Sequence, residues 1–241
     1  MGSAFGVISE ETPAYEVLQR FENYEIRRYE PRVAVQVAMN HANDSTAFKT
    51  LAGYIGVMSS PRNERSEAIA MTAPVVSSTS SSSLIGMKPS TGVADAASSS
   101  AAPRTTQNKQ QQSTLSEKKV DVGPQDDQHL MQFVLPKIYD MTNHPPPKPT
   151  PTWSSPNLST AIVERPERTF AVHTFSGRWT SFEEQKRELL RWLKEEKEDD
   201  SGNMLKIKVK QPLHFEVYRY NPPWTLPMFR TNEVAIEVEL T

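Results

Sequence analysis

The side chains that could support catalysis or bind a metal ion are few in this sequence, and they lie far apart. Cysteine is absent, which excludes disulfides, thiolate nucleophiles and thiolate-ligated zinc or haem. No second histidine or carboxylate stands at metal-site or triad spacing from any histidine, the five being His41, His129, His144, His173 and His214. We expect His129 and His144 to be solvated and His173 to be satisfied within a strand. These residues predict a non-enzymatic protein without a dedicated metal site.

One segment has the composition of a binding surface. Residues 45–58 show a helical pattern, capped by Asp44 or Ser45, in which Lys49 is the only charge. Apolar side chains cover most of its circumference: Ala47, Phe48, Leu51, Ala52, Tyr54, Ile55, Val57 and Met58. An exposed apolar face usually marks a binding site, and the nearby Arg62 and Arg65 could pair with anionic groups. Another part of the chain, either an insertion or a Pro- and Trp-rich loop, could equally cover this face.

The second helical segment is amphipathic in the ordinary way. Ser181 and Glu184 form a capping box, and the pattern continues to Lys197. Its apolar side chains form one stripe and its charges lie opposite. Only the first helix therefore requires an explanation for its outer face.

The remaining pattern divides into two similar halves. Residues 24–29 and 33–39 are predicted to form a hairpin around Pro31, followed by the first helix, a strand at 69–71 and a strand at 130–135. Residues 161–164 and 169–175 are predicted to form a second hairpin around Pro166, followed by the second helix and strands at 215–220 and 234–240. The sequence thus predicts an α+β fold, a distorted antiparallel β-barrel of two pseudo-symmetric halves with two flanking helices.

Composition sets the domain boundaries. Hydrophobic residues make up 37% of the 241 positions, fewer than the roughly 45–50% of an average globular chain, and the deficit is concentrated at 77–128. This Ser-, Ala- and Gln-rich stretch is expected to be a disordered low-complexity insertion. The whole chain is expected to form a single domain over 1–241, with its core at about 13–76 and 129–241. The connection at 144–151 is Pro-rich and is expected to be extended.

Charge and hydropathy restrict the partners. The formal net charge is −2, which argues against a nucleic-acid binder. No apolar run is long enough to span a membrane, and residues 1–11 do not resemble a secretory signal. A cytoplasmic monomer is therefore expected.

Several segments together resemble the SOUL haem-binding protein family. They occur in the family's order between about residues 13 and 241, interrupted only by the insertion. They are YEIRRY at 24–29, IAMTAPV at 69–75, MQFVLP at 131–136, FSG at 175–177, YNPPWTLP at 220–227 and RTNEV at 230–234.

The resemblance implies reversible binding of haem or another tetrapyrrole, such as protoporphyrin, in a shallow apolar cleft by the first helix. The residues it implies for this cleft are Phe48, Lys49, Leu51, Ala52 and Ile55, with Met58, Arg62, Arg65, Trp224 and Arg230 close by. Some animal members carry a histidine, proposed as an iron ligand, where this chain has Arg28. Others carry lysines where this chain has Gly53 and Thr225 or its neighbour. Propionate pairing would therefore come from Lys49, Arg62, Arg65 or Arg230.

Two alternatives remain compatible with the sequence. One is an enzyme that modifies a tetrapyrrole or another small molecule on the same fold. The other is an interaction module in which the apolar face of the first helix binds a protein partner. His41, Met58 and Met71 are the remaining candidates for an iron ligand.

Overall fold

The computed structural model describes residues 6–39, 44–57, 59–81, 128–150, 158, 160–178, 182–195, 197–198 and 204–240. The elements of the first half are β1 (Tyr15–Arg20), β2 (Glu25–Tyr29), β3 (Arg32–Ala38), α1 (Asp44–Ile55), β4 (Val75–Ser81) and β5 (Gln128–Val134). Those of the second half are β6 (Thr160–Arg165), β7 (Arg168–Phe175), α2 (Phe182–Lys194), β8 (Lys197–Glu198), β9 (Met204–Leu205), β10 (Ile207–Val209), β11 (Leu213–Arg219) and β12 (Asn232–Leu240). A short 3-10 helix, Pro227–Phe229, precedes β12.

The strands form a curled antiparallel half-barrel, which confirms the predicted α+β class. Its order is β1-β2-β7-β12-β11-β4-β5-β3-β6, and β10 also pairs with β12. This order is symmetric about the β11–β4 pair, because β7-β12-β11 on one side matches β3-β5-β4 on the other. The helices obey the same symmetry, since α1 packs on β3 and β5 whereas α2 packs on β7 and β12. The two halves of the sequence are therefore equivalent in the fold.

The two predicted hairpins are wrong, because their strands exchange partners. β2 pairs with β7, and β3 pairs with β6, so each half supplies one strand to the edge of the other. The reason lies in the connections, which contain Pro31 and Pro166. A two-residue hairpin turn needs positive φ at a central residue, and proline fixes φ near −65°. The favoured type I′ turn is therefore excluded at both connections, and each strand pairs elsewhere in the sheet.

The third predicted strand and the start of the insertion also differ from prediction. Residues 69–71 are irregular, and the strand begins after Pro74 instead of ending before it. Ser77 to Ser81, predicted to belong to the insertion, complete β4, and Gln128 begins β5. β4 lies between β11 and β5 and is hydrogen-bonded on both sides, which holds a strand of small polar side chains in place. Positions 82–127 lie outside the described residues.

The face of the sheet that carries the helices is apolar. Every second residue of β3, namely Val33, Val35 and Val37, faces α1. These side chains form one core cluster with Leu51 of α1 and Met131 of β5. The opposite face is charged and nevertheless buried. Six of its polar side chains are less than 9% exposed: Arg27, Gln132, Arg165, Glu216, Glu233 and Glu237. We call this second surface the charged face.

Candidate functional site

The apolar side of α1 that points away from the sheet is covered by the chain itself. Tyr54 donates its hydroxyl to the Pro147 carbonyl at 2.7 Å. The Asn63 side chain donates to the Tyr54 carbonyl at 3.1 Å, and the backbone N–H of Ile69 donates to Ile55 at 3.0 Å. The segments at 61–69 and 145–149 therefore form the cover that a fully apolar helix requires. Neither of these two segments is one that the sequence suggested as the cover.

This cover buries three of the predicted cleft residues. Leu51, Ala52 and Ile55 are 0%, 1% and 2% exposed, so they belong to the core between α1 and the sheet. Phe48 is different, because it is only partly buried and meets the edge of Phe133 with ring centroids 5.4 Å apart. Lys49 is exposed beside it. The accessible part of the predicted helix surface is thus its first two turns.

The two glycines of this region serve packing rather than ligand approach. A Cβ on Gly53 would lie 3.1 Å from the Arg62 guanidinium, which covers it. Gly56 follows the helix with φ of +86°, and its N–H donates to Ala52, the arrangement of a helix C-cap. A Cβ there would lie 2.6 Å from Pro61. At both glycines, neighbouring side chains fill the space that a ligand would need for a close approach.

Of the four predicted cations, Lys49 is the one on the exposed part of α1. Arg62 packs over Gly53. Arg65 donates to the Pro145 carbonyl and pairs with Glu67 at 3.3 Å, so it fixes the cover of α1. Arg230 donates to the carbonyls of Thr225 at 2.8 Å and Pro223 at 2.5 Å. Met58 lies outside the described residues.

The C-terminal connection at 222–230, which we call the apolar loop, is the most exposed apolar segment. Trp224 and Met228 are each 70% exposed, and Leu226 and Phe229 are 49% and 41% exposed. Sequence reasoning named only Trp224 and Arg230 in this loop. The missed signal was a run of large apolar side chains spaced by prolines and lacking any charge from Asn221 to Phe229.

Arg219 ties the base of the apolar loop to α1. It is the last residue of β11, and its guanidinium donates to Asp44, the first residue of α1, at 3.1 Å. The same guanidinium donates to Ser77 at 2.7 Å and lies 5.3 Å from the Phe182 ring centroid. Burial lowers the pKa of Arg219, an effect that Asp44 opposes. The start of α1 is therefore tied to the end of β11, the strand that leads into the loop.

The charged face contains an ionic network that the sequence did not suggest. Glu216 is fully buried and accepts hydrogen bonds from Arg165, from His214 at 2.7 Å and from Tyr218 at 2.7 Å. Burial alone would raise the pKa of Glu216, but the charge of Arg165 and the hydrogen bond from His214 outweigh it. The pKa of this carboxyl therefore lies well below its usual range.

The described histidines have partners within the protein, as the sequence suggested for His173. Its ring nitrogens contact the Asn23 carbonyl at 2.5 Å and Gln185 at 3.0 Å. His129 and His144 are exposed, as predicted. His41 lies outside the described residues. Within the described ranges, no group of three or more histidine or carboxylate side chains is arranged to hold a metal ion.

A separate groove of about 400 Å³ lies on another part of the surface. It is lined by residues 11–14 and 30–33, together with Thr72, Val134, Leu135, Lys137 and Tyr139. None of the predicted tetrapyrrole-site residues contributes to it. Across the described part of the chain, no helix has the length and apolarity that a membrane crossing requires.

The curled half-barrel with two helices on one face defines the structural class, and the sequence motifs define the family. The model of the SOUL haem-binding protein family matches residues 10–237. The chain therefore belongs to the SOUL haem-binding family, whose common property is the binding of haem. No curated protein is significantly similar in sequence.

Solved structures with a similar chain course have very different sequences. A hydrolase from Listeria innocua matches over 90% of this chain and 92% of its own, with 8% identity and a TM-score of 0.45. The C-terminal domain of EcmrR matches over 94% of this chain and 99% of its own, with 9% identity and a TM-score of 0.46. Similarity at this level carries no conclusion about activity or partners.

Proposed function

We propose that this protein binds haem or a related tetrapyrrole reversibly and buffers or carries it in the cytoplasm, without converting it. The observation that carries the proposal is the exposed apolar loop that follows β11, the strand whose last residue pairs with the start of α1. Trp224, Leu226, Met228 and Phe229 expose large apolar surfaces in this loop, and Arg219, at the end of β11, donates to Asp44. Family membership supports haem or tetrapyrrole as the ligand.

The physical chemistry of a porphyrin suits such a surface. A porphyrin is a flat apolar disc with two carboxylates, so it requires an apolar and aromatic lining and a few cations. Burial of one face at about 25 cal/mol per Å² can give micromolar binding without an iron ligand, after the cost of association. The proposed contacts are Phe48 and Trp224 for the ring and Lys49 for a propionate.

The buried residues of the predicted cleft have an indirect role in this proposal. Leu51, Ala52 and Ile55 belong to the core cluster that holds α1 against the sheet. Arg65 and Arg230 support the proposed surface from behind by holding backbone carbonyls. The ligand then lies across the exposed edge of α1 rather than along its whole length.

The Phe48→Asp variant is expected to weaken protoporphyrin binding by about 10- to 100-fold, because it places a carboxylate where an aromatic contact is proposed. Ile138→Asp controls for the introduced charge, since Ile138 is 65% exposed and lies outside the proposed surface. The measurement is a fluorescence-quenching titration of each folded variant with protoporphyrin. Equal affinities for Phe48→Asp and wild type would remove α1 from the site.

A further inference from the structure

The exposed apolar side chains of the protein are concentrated in one place. Ten large apolar side chains of the described residues are exposed, and four of them lie within positions 224–229. A fifth, Val7, is 61% exposed and follows Gly6, whose carbonyl accepts a hydrogen bond from Asn221 at 3.2 Å. Gly6 also packs directly on Phe229, where a Cβ would overlap the carbonyl oxygen. A patch of this kind usually marks an interaction surface.

Two arginines border this patch. Residues 221–229 carry no ionisable side chain, and Arg230 follows directly. Arg178 is exposed and follows Gly177, whose carbonyl accepts a hydrogen bond from Asn232 at 3.3 Å. The next acidic residue, Glu233, is buried on the charged face and paired with Arg27 at 2.8 Å. The base of the apolar loop thus complements an anionic surface.

Part of the backbone of the apolar loop is hydrogen-bonded within the loop itself. Three of its residues, Pro222, Pro223 and Pro227, have no N–H group. Five of its carbonyls accept hydrogen bonds from Thr225, Phe229 or Arg230, and they belong to Pro222, Pro223, Thr225, Leu226 and Pro227. Internal pairing of this kind is what a segment needs where water is scarce.

We propose that the apolar loop docks the protein on anionic lipid surfaces. Trp224, Leu226 and Met228 enter the boundary between headgroups and acyl chains, while Arg178 and Arg230 face the headgroups. Tryptophan prefers this boundary, and apolar area combined with positive charge is the usual basis of reversible peripheral binding. The proposal concerns the protein without its tetrapyrrole and does not depend on the proposed function.

A lipid surface fits these observations better than a protein partner or a second copy of the chain. A protein interface generally offers hydrogen bonds and opposite charges to the segment that it receives. The apolar loop has no ionisable group at its centre, and five of its carbonyls are already paired within the loop. It therefore presents apolar side chains and little else.

The test is co-sedimentation of the full chain, free of porphyrin, with vesicles of phosphatidylcholine and phosphatidylserine and with vesicles of phosphatidylcholine alone. Wild type is expected to bind the anionic vesicles at least about tenfold more tightly, because cations near a surface contribute to binding. Leu226→Asp and Met228→Asp are each expected to lower binding to anionic vesicles by at least about tenfold. Ile138→Asp, matched in exposure, should leave it unchanged.

A second measurement on wild type avoids dependence on the variants. Brominated lipids should quench its tryptophan fluorescence, and Trp224→Phe should remove most of that quenching. No binding to anionic vesicles, or equal loss in Leu226→Asp and Ile138→Asp, would overturn the proposal. So would a lipid-independent dimer that Met228→Asp dissociates, since the loop would then bind a second copy. Loss of porphyrin binding with intact vesicle binding would count only against the proposed function.

Discussion

The Glu216→Gln variant is expected to lose about 3–5 kcal/mol of the free energy of unfolding, because breaking a buried ion pair leaves an uncompensated charge. Glu216 is 0% exposed, and Arg165 is 6% exposed. Arg168 also approaches the carboxylate, at 3.7 Å. Removing the negative charge would leave buried cations without their counter-ion. Urea unfolding at neutral pH measures the loss.

The contribution of the same network to stability should also depend on pH in the acid range. Because the pKa of Glu216 is depressed in the folded state, its ionised form contributes stability above the unfolded pKa of about 4.3. That contribution is lost as the pH falls through the folded-state pKa. The stability of wild type should therefore decline more steeply below about pH 4.3 than that of Glu216→Gln.

The matched control is Glu188→Gln, which removes a pair with Arg191 on the surface of α2. These side chains are 40% and 64% exposed, and exposed pairs contribute about 0–1 kcal/mol. The Arg165→Met/Glu216→Gln double variant should lose clearly less stability than the two single losses added together. Additive losses, or equal acid slopes for wild type and Glu216→Gln, would show that the network is not coupled.

The second large effect is expected from Leu51→Ala, which should cost about 2–5 kcal/mol of stability through loss of apolar contact and creation of a cavity. Leu51 is 0% exposed and packs between α1 and the sheet. The Leu51→Ala variant should change the affinity for protoporphyrin, measured on folded protein, by less than about threefold. The reason is that a residue that does not touch the ligand does not act as a binding hot spot. Thermal unfolding and porphyrin titration on the same samples separate the two effects.

Val57→Ala is the control for this variant, because Val57 lies two residues after the end of α1 and is 52% exposed. It should change stability little. If Leu51→Ala instead lost more than tenfold in affinity and kept its stability, Leu51 would contact the ligand. The accessible surface would then extend along α1 beneath the cover formed by residues 61–69 and 145–149.

The sequence was sufficient to predict the two helices, most of the long strands and the equivalence of the two halves, because these depend on local periodicity. It did not predict β1. It was not sufficient to predict strand partners. The segments around Pro31 and Pro166 have the spacing of hairpins, but pairing depends on where the rest of the chain closes the sheet. Ser77 to Ser81 show the same limit, since neighbouring strands on both sides stabilise β4 against its weak intrinsic preference.

The candidate site was predictable only in part, because burial is a property of the whole fold. The apolar character of α1 predicted that something must cover it, and Pro147 does so through a hydrogen bond from Tyr54, which is far away in the sequence. The charged face was missed for a related reason. Glu216 and Glu233 each alternate with apolar residues along a strand, a pattern typical of solvent-facing side chains. In the curled sheet they are instead buried against Arg165 and Arg27.

Equilibrium titration of the wild-type protein with haemin and with metal-free protoporphyrin tests the central claim most directly. If apolar contact supplies the affinity, both ligands should bind, and their dissociation constants should agree within about tenfold, or ~1.4 kcal/mol. A haem preference well beyond this ratio would show that an iron ligand supplies the affinity. Absence of both a Soret shift and tryptophan quenching with either ligand would contradict tetrapyrrole binding itself.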